Sequence, residues 1–273
     1  MTLGEALAAA RRRIDRLDAR LLLQHAAPCT HADLLARPET PLDEAAQARF
    51  MAWVERRAAG EPLAYLVGEA EFRGRLFQVS PAVLIPRPDT ETLVEQALAR
   101  LAGSERPAVL DLGAGSGIVA ISLALECPAA RVTAVDIAPE ALAIAARNAA
   151  RLGARVEWIA GDWCAPLAGR RFDLIVSNPP YIAAADPHLL GDGLPREPQH
   201  ALTDGGDGLG CIRRIIAEAP AHLRTGGWLL LEHGYDQGPA CRELLSAAGF
   251  RSVGTHLDLA GRERVSGGES PRH

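Results

Sequence analysis

The sequence predicts an α/β protein: a mostly parallel, seven-stranded sheet covered on both faces, preceded by a small helical domain and a β-hairpin linker. Three observations carry that expectation. From Pro107 onward, short apolar runs alternate with helical periodicity, which is the pattern of strands and crossover helices in a parallel sheet. A glycine-rich turn, Asp111-Leu112-Gly113-Ala114-Gly115-Ser116-Gly117, follows the first of those strands and opens a helix. At 273 residues the chain exceeds one average domain, so a large domain with a small companion is the natural division.

Residues 1–60 read as the helical domain. Thr2 and Glu5 form a capping-box pattern, and Leu3, Leu7, Ala10, Ile14, Leu17 and Leu21 follow at helical spacing. The spacing fits one helix or two, because Arg11-Arg12-Arg13 suits either. Thr30 to Asp33 repeats the capping pattern before Leu34-Leu35, and Pro38 stops that helix. A longer helix is predicted from about Leu42 to Ala59, ended by Gly60. With no catalytic constellation of its own, this domain suits a docking module or a structural cover.

Residues 61–90 form the linker. Two β-prone stretches, Glu61 to Gly68 and Phe72 to Phe77, with a glycine between them, predict a hairpin. In Leu84-Ile85-Pro86-Arg87-Pro88-Asp89-Thr90-Glu91, the prolines hold the chain extended before a helix from about Thr90 to Leu101. Arg87 and Asp89 either face a ligand or form a helix cap with a solvated charge. The large domain, 91–273, is read with strands at about 108–112, 131–135, 156–160, 172–177 and 227–232. Helices fall near 118–127, 139–152, 208–223 and 237–248, and two further strands, near 250–257 and 262–266, close the sheet. The turn-forming composition of Gly267 to His273 predicts a disordered tail.

Bulk composition narrows the function. The hydrophobic share of 48% supports a full core, yet no apolar run approaches the roughly 18 residues of a membrane span. The N-terminus lacks the basic-then-apolar layout of a signal peptide, so a soluble, cytoplasmic protein is expected, with a monomer as the default. Five scattered cysteines without a C-x-x-C pair, and eight histidines without an H-x-x-x-H pair, argue against disulfides and a metal site. The net charge of −5 weighs against a protein that grips nucleic acid by its backbone. All 29 basic residues are arginine, a bias that fits codon usage rather than function.

The chemistry is expected at Asn178-Pro179-Pro180-Tyr181, directly after the apolar run Phe172 to Ser177. Two prolines stiffen the loop and remove N–H groups, so oxygens dominate what it presents. The Asn178 side chain beside backbone carbonyls is a cluster of acceptors suited to an NH2 group on a planar substrate.

The glycine turn departs from the dinucleotide fingerprint, since its third glycine is at 117 and position 118 is isoleucine. Its form, D-x-G-x-G-x-G, is similar to that of S-adenosylmethionine methyltransferases. Asp136, at the end of the next strand, is placed to accept hydrogen bonds from the ribose hydroxyls of a nucleoside. In that class the turn after the third strand borders the adenine, so the resemblance implies that in Gly161-Asp162-Trp163 Asp162 accepts from the amino group and Trp163 covers a face.

Together these parts resemble the HemK/PrmC family of protein N5-glutamine methyltransferases, in the branch that modifies peptide chain release factors. The likeness covers nearly the whole chain. It rests on Pro62 to Leu66, Ile85-Pro86-Arg87-Pro88-Asp89-Thr90-Glu91, the glycine loop and Asn178 to Tyr181. Glu197-Pro198 with Ala201-Leu202, Gly205 to Leu209, Leu231 to Gly234 and Asp258 to Arg262 add to it.

The resemblance implies a Rossmann-like S-adenosylmethionine-dependent methyltransferase sheet. It implies that Asp111, Gly113, Ala114, Gly115, Ser116, Gly117, Asp136, Asp162, Trp163 and Asn178 bind S-adenosylmethionine. Asn178, Pro179, Pro180 and Tyr181 are expected to hold a glutamine from the Gly-Gly-Gln loop of a release factor, with Asn178, Pro179 and Tyr181 catalytic. Arg87 and Glu197 either touch that substrate or brace the loop, and the helical domain docks the release factor. The nearest alternatives are the sister branch that acts on a ribosomal protein and a DNA or RNA adenine-N6 methyltransferase, whose target is also a planar NH2. A non-catalytic module that binds S-adenosylmethionine is the third.

Overall fold

The computed structural model describes residues 1–191 and 193–271, and the chain divides into two compact units. The first comprises Met1–Glu69 with Leu190–Arg196. Its helices are α1 (Leu3–Ala10), α2 (Arg16–Ala26), α3 (His31–Ala36), α4 (Glu44–Ala58) and α5 (Leu63–Val67). The Thr2 capping box forms, with the Thr2 N–H donating to Glu5 Oε2 at 2.9 Å and the Glu5 N–H to Thr2 Oγ1 at 3.3 Å. The apolar series beginning at Leu3 is two helices. Asp15 caps the second by accepting from the Leu17 N–H at 2.7 Å, which resets the helical register and turns Leu17 to solvent while Leu22 and Leu23 enter the core. Phe50 and Val54 of α4 fill the same core.

The expected linker does not behave as one segment. Leu63–Val67, expected as a β-prone arm, is helical. Pro62 precedes it, Gly68 at φ 80° ends it, and Leu66 packs into the core of the helical unit. The hairpin follows as β1 (Glu69–Phe72) and β2 (Arg75–Gln78). Its two central residues, Arg73 at φ 50° and Gly74 at φ 71°, have the positive angles of the tight turn that suits the twist of paired strands. Arg73 is held there by Glu126, at 2.6 and 3.0 Å. Phe72 and Phe77 are buried edge to face in the core of the larger unit, so the boundary between units falls at residue 69 rather than at 60 and 90.

The second unit comprises Ala70–Leu189 and Glu197–His273, of which 272 and 273 lie outside the described residues. After α6 (Thr90–Leu101) come β3 (Ala108–Leu112), α7 (Ile118–Glu126), β4 (Arg131–Asp136), α8 (Pro139–Leu152), β5 (Val156–Ala160) and β6 (Phe172–Ser177). Then follow α9 (Gly210–His222), β7 (Leu223–Glu232), α10 (Gly238–Ala247), β8 (Arg251–Leu257) and β9 (Glu263–Glu269). The sheet order is β5-β4-β3-β6-β7-β9-β8, parallel from β5 to β7 and antiparallel for the last two pairings. Every residue of β3 is buried, as a central strand covered on both faces requires. Two apolar clusters form the cores of this unit.

The strand order reverses between β3 and β6, with successive connections running outward in opposite directions from that pair. In open parallel sheets, ligands bind beyond the carboxyl ends of the strands at such a point. Leu112 of β3 lies opposite Ser177 of β6, so the glycine turn and Asn178 leave the sheet side by side.

The C-terminal expectation is corrected. Gly267, Gly268 and Glu269 are part of β9, which lies between β7 and β8 instead of trailing as a disordered tail. Composition misleads because these glycines serve close approach rather than flexibility. A Cβ on Gly267 would lie 2.4 Å from the Leu229 carbonyl oxygen and 2.6 Å from Leu230 Cδ2. Among the described residues no helix is long and apolar enough to cross a membrane, and no group of His, Cys, Asp and Glu is arranged to hold a metal.

Gly267→Ala should therefore lower stability by about 1–3 kcal/mol, the usual range for overpacking, in urea denaturation. An unchanged midpoint would show that β7 and β9 can separate at no cost.

Candidate active site

The site is built from backbone outward. Gly113, Gly115 and Gly117 have φ of 78°, 53° and 84°, angles that residues with a Cβ rarely adopt, so the turn can curl back on β4. The Gly113 and Ala114 N–H groups both donate to the Val135 carbonyl, at 2.9 and 3.0 Å. The Gly115 N–H donates to Asp136 Oδ2 at 2.8 Å, and the other Asp136 oxygen accepts from the Ala138 N–H at 2.9 Å. Asp136 is thus both a wall of the site and a brace for the loop. Each of its oxygens has a second lone pair for a further donor.

A cavity of about 280 Å³ opens against this turn. Of the expected cofactor residues, Asp111, Gly113, Ala114, Gly115, Ser116, Asp136, Asp162, Trp163 and Asn178 line it. Gly117 is not on its wall. A Cβ there would meet Ile121, Trp158 and Ala145 at 2.9–3.1 Å, so this glycine serves the packing of α7 against the sheet. The Trp163 ring lies over Gly113, 3.4 Å from where a Cβ would stand, and Trp163 itself sits at φ 47°. A bulky residue holds such an angle only where its surroundings enforce it, which fits a side chain aimed at a site. Asp162 pairs with Arg214 at 2.8 Å.

Asp111 is 1% exposed and accepts from the Ala120 N–H at 3.0 Å, tying the strand end to the first turn of α7. Burial, with the Asp136 charge nearby, pushes its carboxyl up to about 7.

On the β6 side, Asn178 Nδ2 donates to Thr90 Oγ1 at 3.2 Å. Asn178, Pro180 and Arg87 line the cavity, whereas Pro179, Tyr181 and Glu197 are not among its lining residues. Tyr181 instead anchors the loop from behind. Its hydroxyl donates to Glu232 Oε1 at 3.3 Å, and its carbonyl accepts from Gln237 Nε2 at 2.9 Å. Burial pushes the phenol well above its usual value, helped by the Glu232 charge. Glu197 is 5% exposed, accepts from the Ile85 N–H at 3.0 Å and pairs with Arg87. Of the two alternatives left open for this pair, the contacts seen are those of a brace for residues 85–87. Asp89 pairs with Arg264 at 2.9 Å and gives α6 no side-chain cap.

Sequence reasoning missed three polar residues of this region, all fully buried: Thr90, Asn148 and Glu232. Asn148 Nδ2 donates to the Ser116 carbonyl at 2.9 Å and to the Gln78 carbonyl at 3.0 Å, joining the glycine loop to the hairpin. The available signal was a polar side chain on the apolar face of a helix. For Glu232 it was a carboxylate directly after Leu229-Leu230-Leu231. Burial pushes Glu232 up to about 7.

Comparison with known proteins agrees with this geometry. Residues 3–68 match a family model described as the PrmC N-terminal domain, and residues 89–210 match one described as the methyltransferase small domain. The chain is 52% identical over 256 residues to the release factor glutamine methyltransferase of Bordetella pertussis, covering 93% of this chain and 95% of that protein. It is 53% identical over 266 residues to the release factor glutamine methyltransferase of Xylella fastidiosa, strain Temecula1, covering 97% of each. Among solved structures, a methyltransferase from Pyrococcus furiosus matches with a TM-score of 0.54 at 20% identity, over 83% of this chain and 98% of that one. That last likeness is one of fold.

The buried Asp111 has a measurable consequence. Its folded pKa of about 7 exceeds the ~3.9 of an unfolded aspartate, so between those values the folded state holds a proton that the unfolded state has lost. Its contribution to stability is full below about pH 4 and is lost as pH rises through about 7. In Asp111→Asn the amide oxygen still accepts from Ala120 and nothing titrates. The variant should gain on the wild type as pH rises through that window and keep the gain above it. Urea midpoints at several pH values measure this, and a constant offset between the two proteins would mean that Asp111 is ionised throughout.

Proposed function

The chain belongs to the release factor glutamine methyltransferase family, and we propose that the cavity at the β3/β6 switch point is where the glutamine of a release factor meets S-adenosyl-L-methionine. The enzyme methylates the side-chain amide nitrogen (N5) of the glutamine in the Gly-Gly-Gln motif and releases S-adenosyl-L-homocysteine. The observation that carries the reading is the pairing of Leu112 with Ser177, which brings the glycine loop and Asn178 to one cavity.

The residues present fit the cofactor. Trp163 packs its ring onto Gly113 and lines the cavity, giving a flat apolar wall for a base. Asp136 has lone pairs to spare for a ribose diol, and Ile137, exposed beside it, offers an apolar flank. Gly113 to Ser116 would hold the methionine portion, Asp162 the adenine amino group, and Asn178 the region next to the sulfonium. When bound, S-adenosylmethionine supplies a methyl group already activated by a positive sulfur, so the protein's main task is positioning.

The difficulty is the nucleophile, because the lone pair of an amide nitrogen is delocalised into its carbonyl. Asn178 Oδ1 and the Pro179 carbonyl each accept one N–H of the glutamine amide. Two fixed acceptors hold the nitrogen facing the methyl and stabilise the positive charge that grows on it during transfer. No strong base is required, since an N-methylated, positively charged amide is acidic and gives up its proton readily. Tyr181, tied to Glu232, keeps the far end of the loop in place. Arg87 and Glu197 hold the extended segment 85–87 as a wall of the pocket. The N-terminal helical unit is the docking surface for the release factor in this reading.

Asn178→Ala should lower kcat by on the order of 10²–10³, as loss of one preorganised acceptor does elsewhere, with a modest loss of cofactor affinity. Asp136→Ala should act chiefly on cofactor binding, so an unchanged affinity by calorimetry removes the ribose role. Methyl transfer from labelled S-adenosylmethionine to unmodified release factor tests the whole reading. Label is expected on the wild-type factor and not on a Gln→Ala variant of its Gly-Gly-Gln loop or on duplex DNA. Label that persists in the Gln→Ala factor overturns the substrate assignment.

A further inference from the structure

Its two prolines leave the Asn178–Tyr181 loop with few ways to be held. Neither Pro179 nor Pro180 has an N–H to donate, and the Pro179 carbonyl is the one assigned to the substrate amide. The loop is held from its ends instead. At the first end, Ser177 Oγ donates to the Leu112 carbonyl at 2.6 Å and Asn178 Nδ2 to Thr90 Oγ1 at 3.2 Å. At the second, the Tyr181 carbonyl accepts from Gln237 Nε2 at 2.9 Å.

Gln237 makes two further contacts. Its Nε2 donates to the Gly208 carbonyl at 3.4 Å, and its Oε1 accepts from the Gly234 N–H at 2.8 Å. A side-chain amide has nearly the same shape either way round, but here the orientation is set by the partners. A backbone N–H can only donate and a backbone carbonyl can only accept, so Oε1 faces Gly234 and Nε2 has one hydrogen for each carbonyl. The mount is rigid. The Gln237 N–H donates to the Gly234 carbonyl at 2.9 Å, and its own carbonyl accepts at 3.0 Å from the N–H of Cys241, a core residue of α10.

The segment that Gln237 joins to Tyr181 is itself a wall of the site. His200, Ala201, Thr203 and Cys211 line the cavity together with Asn178 and Pro180. The Ile182 N–H donates to the Leu202 carbonyl and the Ala184 N–H to the Gly206 carbonyl, both at 2.9 Å, so the chain beyond Tyr181 runs against this wall. Gly208 has φ 81°, and a Cβ there would lie 2.3 Å from the Tyr181 carbonyl oxygen and 3.0 Å from Gln237 Nε2. The close approach exists because residue 208 is glycine.

We propose that Gln237 is a positioning residue for methyl transfer, clamping the Tyr181 end of the loop to residues 200–211 and so fixing where Asn178 and Pro179 present their oxygens. The inference rests on the acceptor role given to those two residues above. Gln237 does not line the cavity and acts through the Tyr181 and Gly208 carbonyls. A small displacement of a group that orients a nucleophile is costly even when its cause lies outside the site.

The experiment compares the full chain with Gln237→Glu, which keeps the shape and the acceptor for Gly234 but sets a charged oxygen against both carbonyls. In steady-state transfer to intact release factor, kcat should fall roughly 10- to 100-fold. Affinity and stoichiometry for S-adenosylmethionine by calorimetry should stay near the wild-type values, because the glycine turn is braced by β4 and Asp136 instead. In the protein alone, hydrogen exchange at the Ile182 and Ala184 amides should quicken while that of β6 is unchanged. Gln237→Met, which removes the polar ends without adding charge, should shift kcat and exchange the same way and decides the matter if Gln237→Glu does not fold. Normal kcat, a kcat that falls only with the fraction of protein able to bind cofactor, or unchanged exchange at Ile182 and Ala184 overturns the clamp, and leaves Asn178 as the acceptor if Asn178→Ala loses turnover. Normal turnover by Asn178→Ala removes the acceptor role, and this inference with it.

Discussion

The parallel pairing of β3 with β6 is the constraint on which the rest of the molecule depends. Ser177 Oγ donates to the Leu112 carbonyl at 2.6 Å, locking the last residues of the two strands at the same height. Strands joined by a covered crossover have little freedom to slip, because a shift by one residue would send every buried side chain to the wrong face. The loops that leave these two strands are therefore set against each other by the core and not by the ligand. One loop exposes backbone through its glycines. The other exposes oxygen through an asparagine and two prolines. Their chemistry differs because their backbones differ, and the sheet makes them neighbours.

Around this pair the protein tolerates buried carboxylates that a core would normally reject. Asp111 secures the start of α7, and Glu232 lies behind the Asn178 loop. Both are shielded from water and shifted upward by it. Glu197, also buried, is instead satisfied by Arg87 and a backbone N–H. The region thus holds acidic groups in two electrostatic conditions, paired or merely enclosed.

How much of this was readable in the sequence depended on whether the signal was local. The strands of the large domain, the glycine turn and the place of Asn178 were readable, because apolar runs, glycines and prolines act on their own stretch of backbone. Leu63–Val67 was misread as extended, since its β-prone residues were overruled by Pro62, Gly68 and the core they border. Gly267 and Gly268 looked like tail because a glycine chosen for lack of room has the same letter as one chosen for freedom. Gly117 was grouped with the ligand-facing glycines for the same reason. Thr90 and Glu232 were hidden differently. They meet the Asn178–Tyr181 loop only through the tertiary fold, Thr90 at Asn178 and Glu232 at Tyr181, so their sequence neighbours do not name the partner.

The position of β9 bears on how the protein is made. It follows β8 in sequence but enters the sheet between β7 and β8. While the polypeptide is being synthesised, β7 has an open edge and β8 has no neighbour until residues 263–269 emerge. An open edge rich in Leu229, Leu230 and Leu231 invites pairing with other nascent chains, a hazard that lasts as long as the final segment is delayed. The narrow glycine strand that ends this exposure is made after both of the strands it separates. The sheet is thus closed by a strand threaded between two earlier ones and not by one added at its rim.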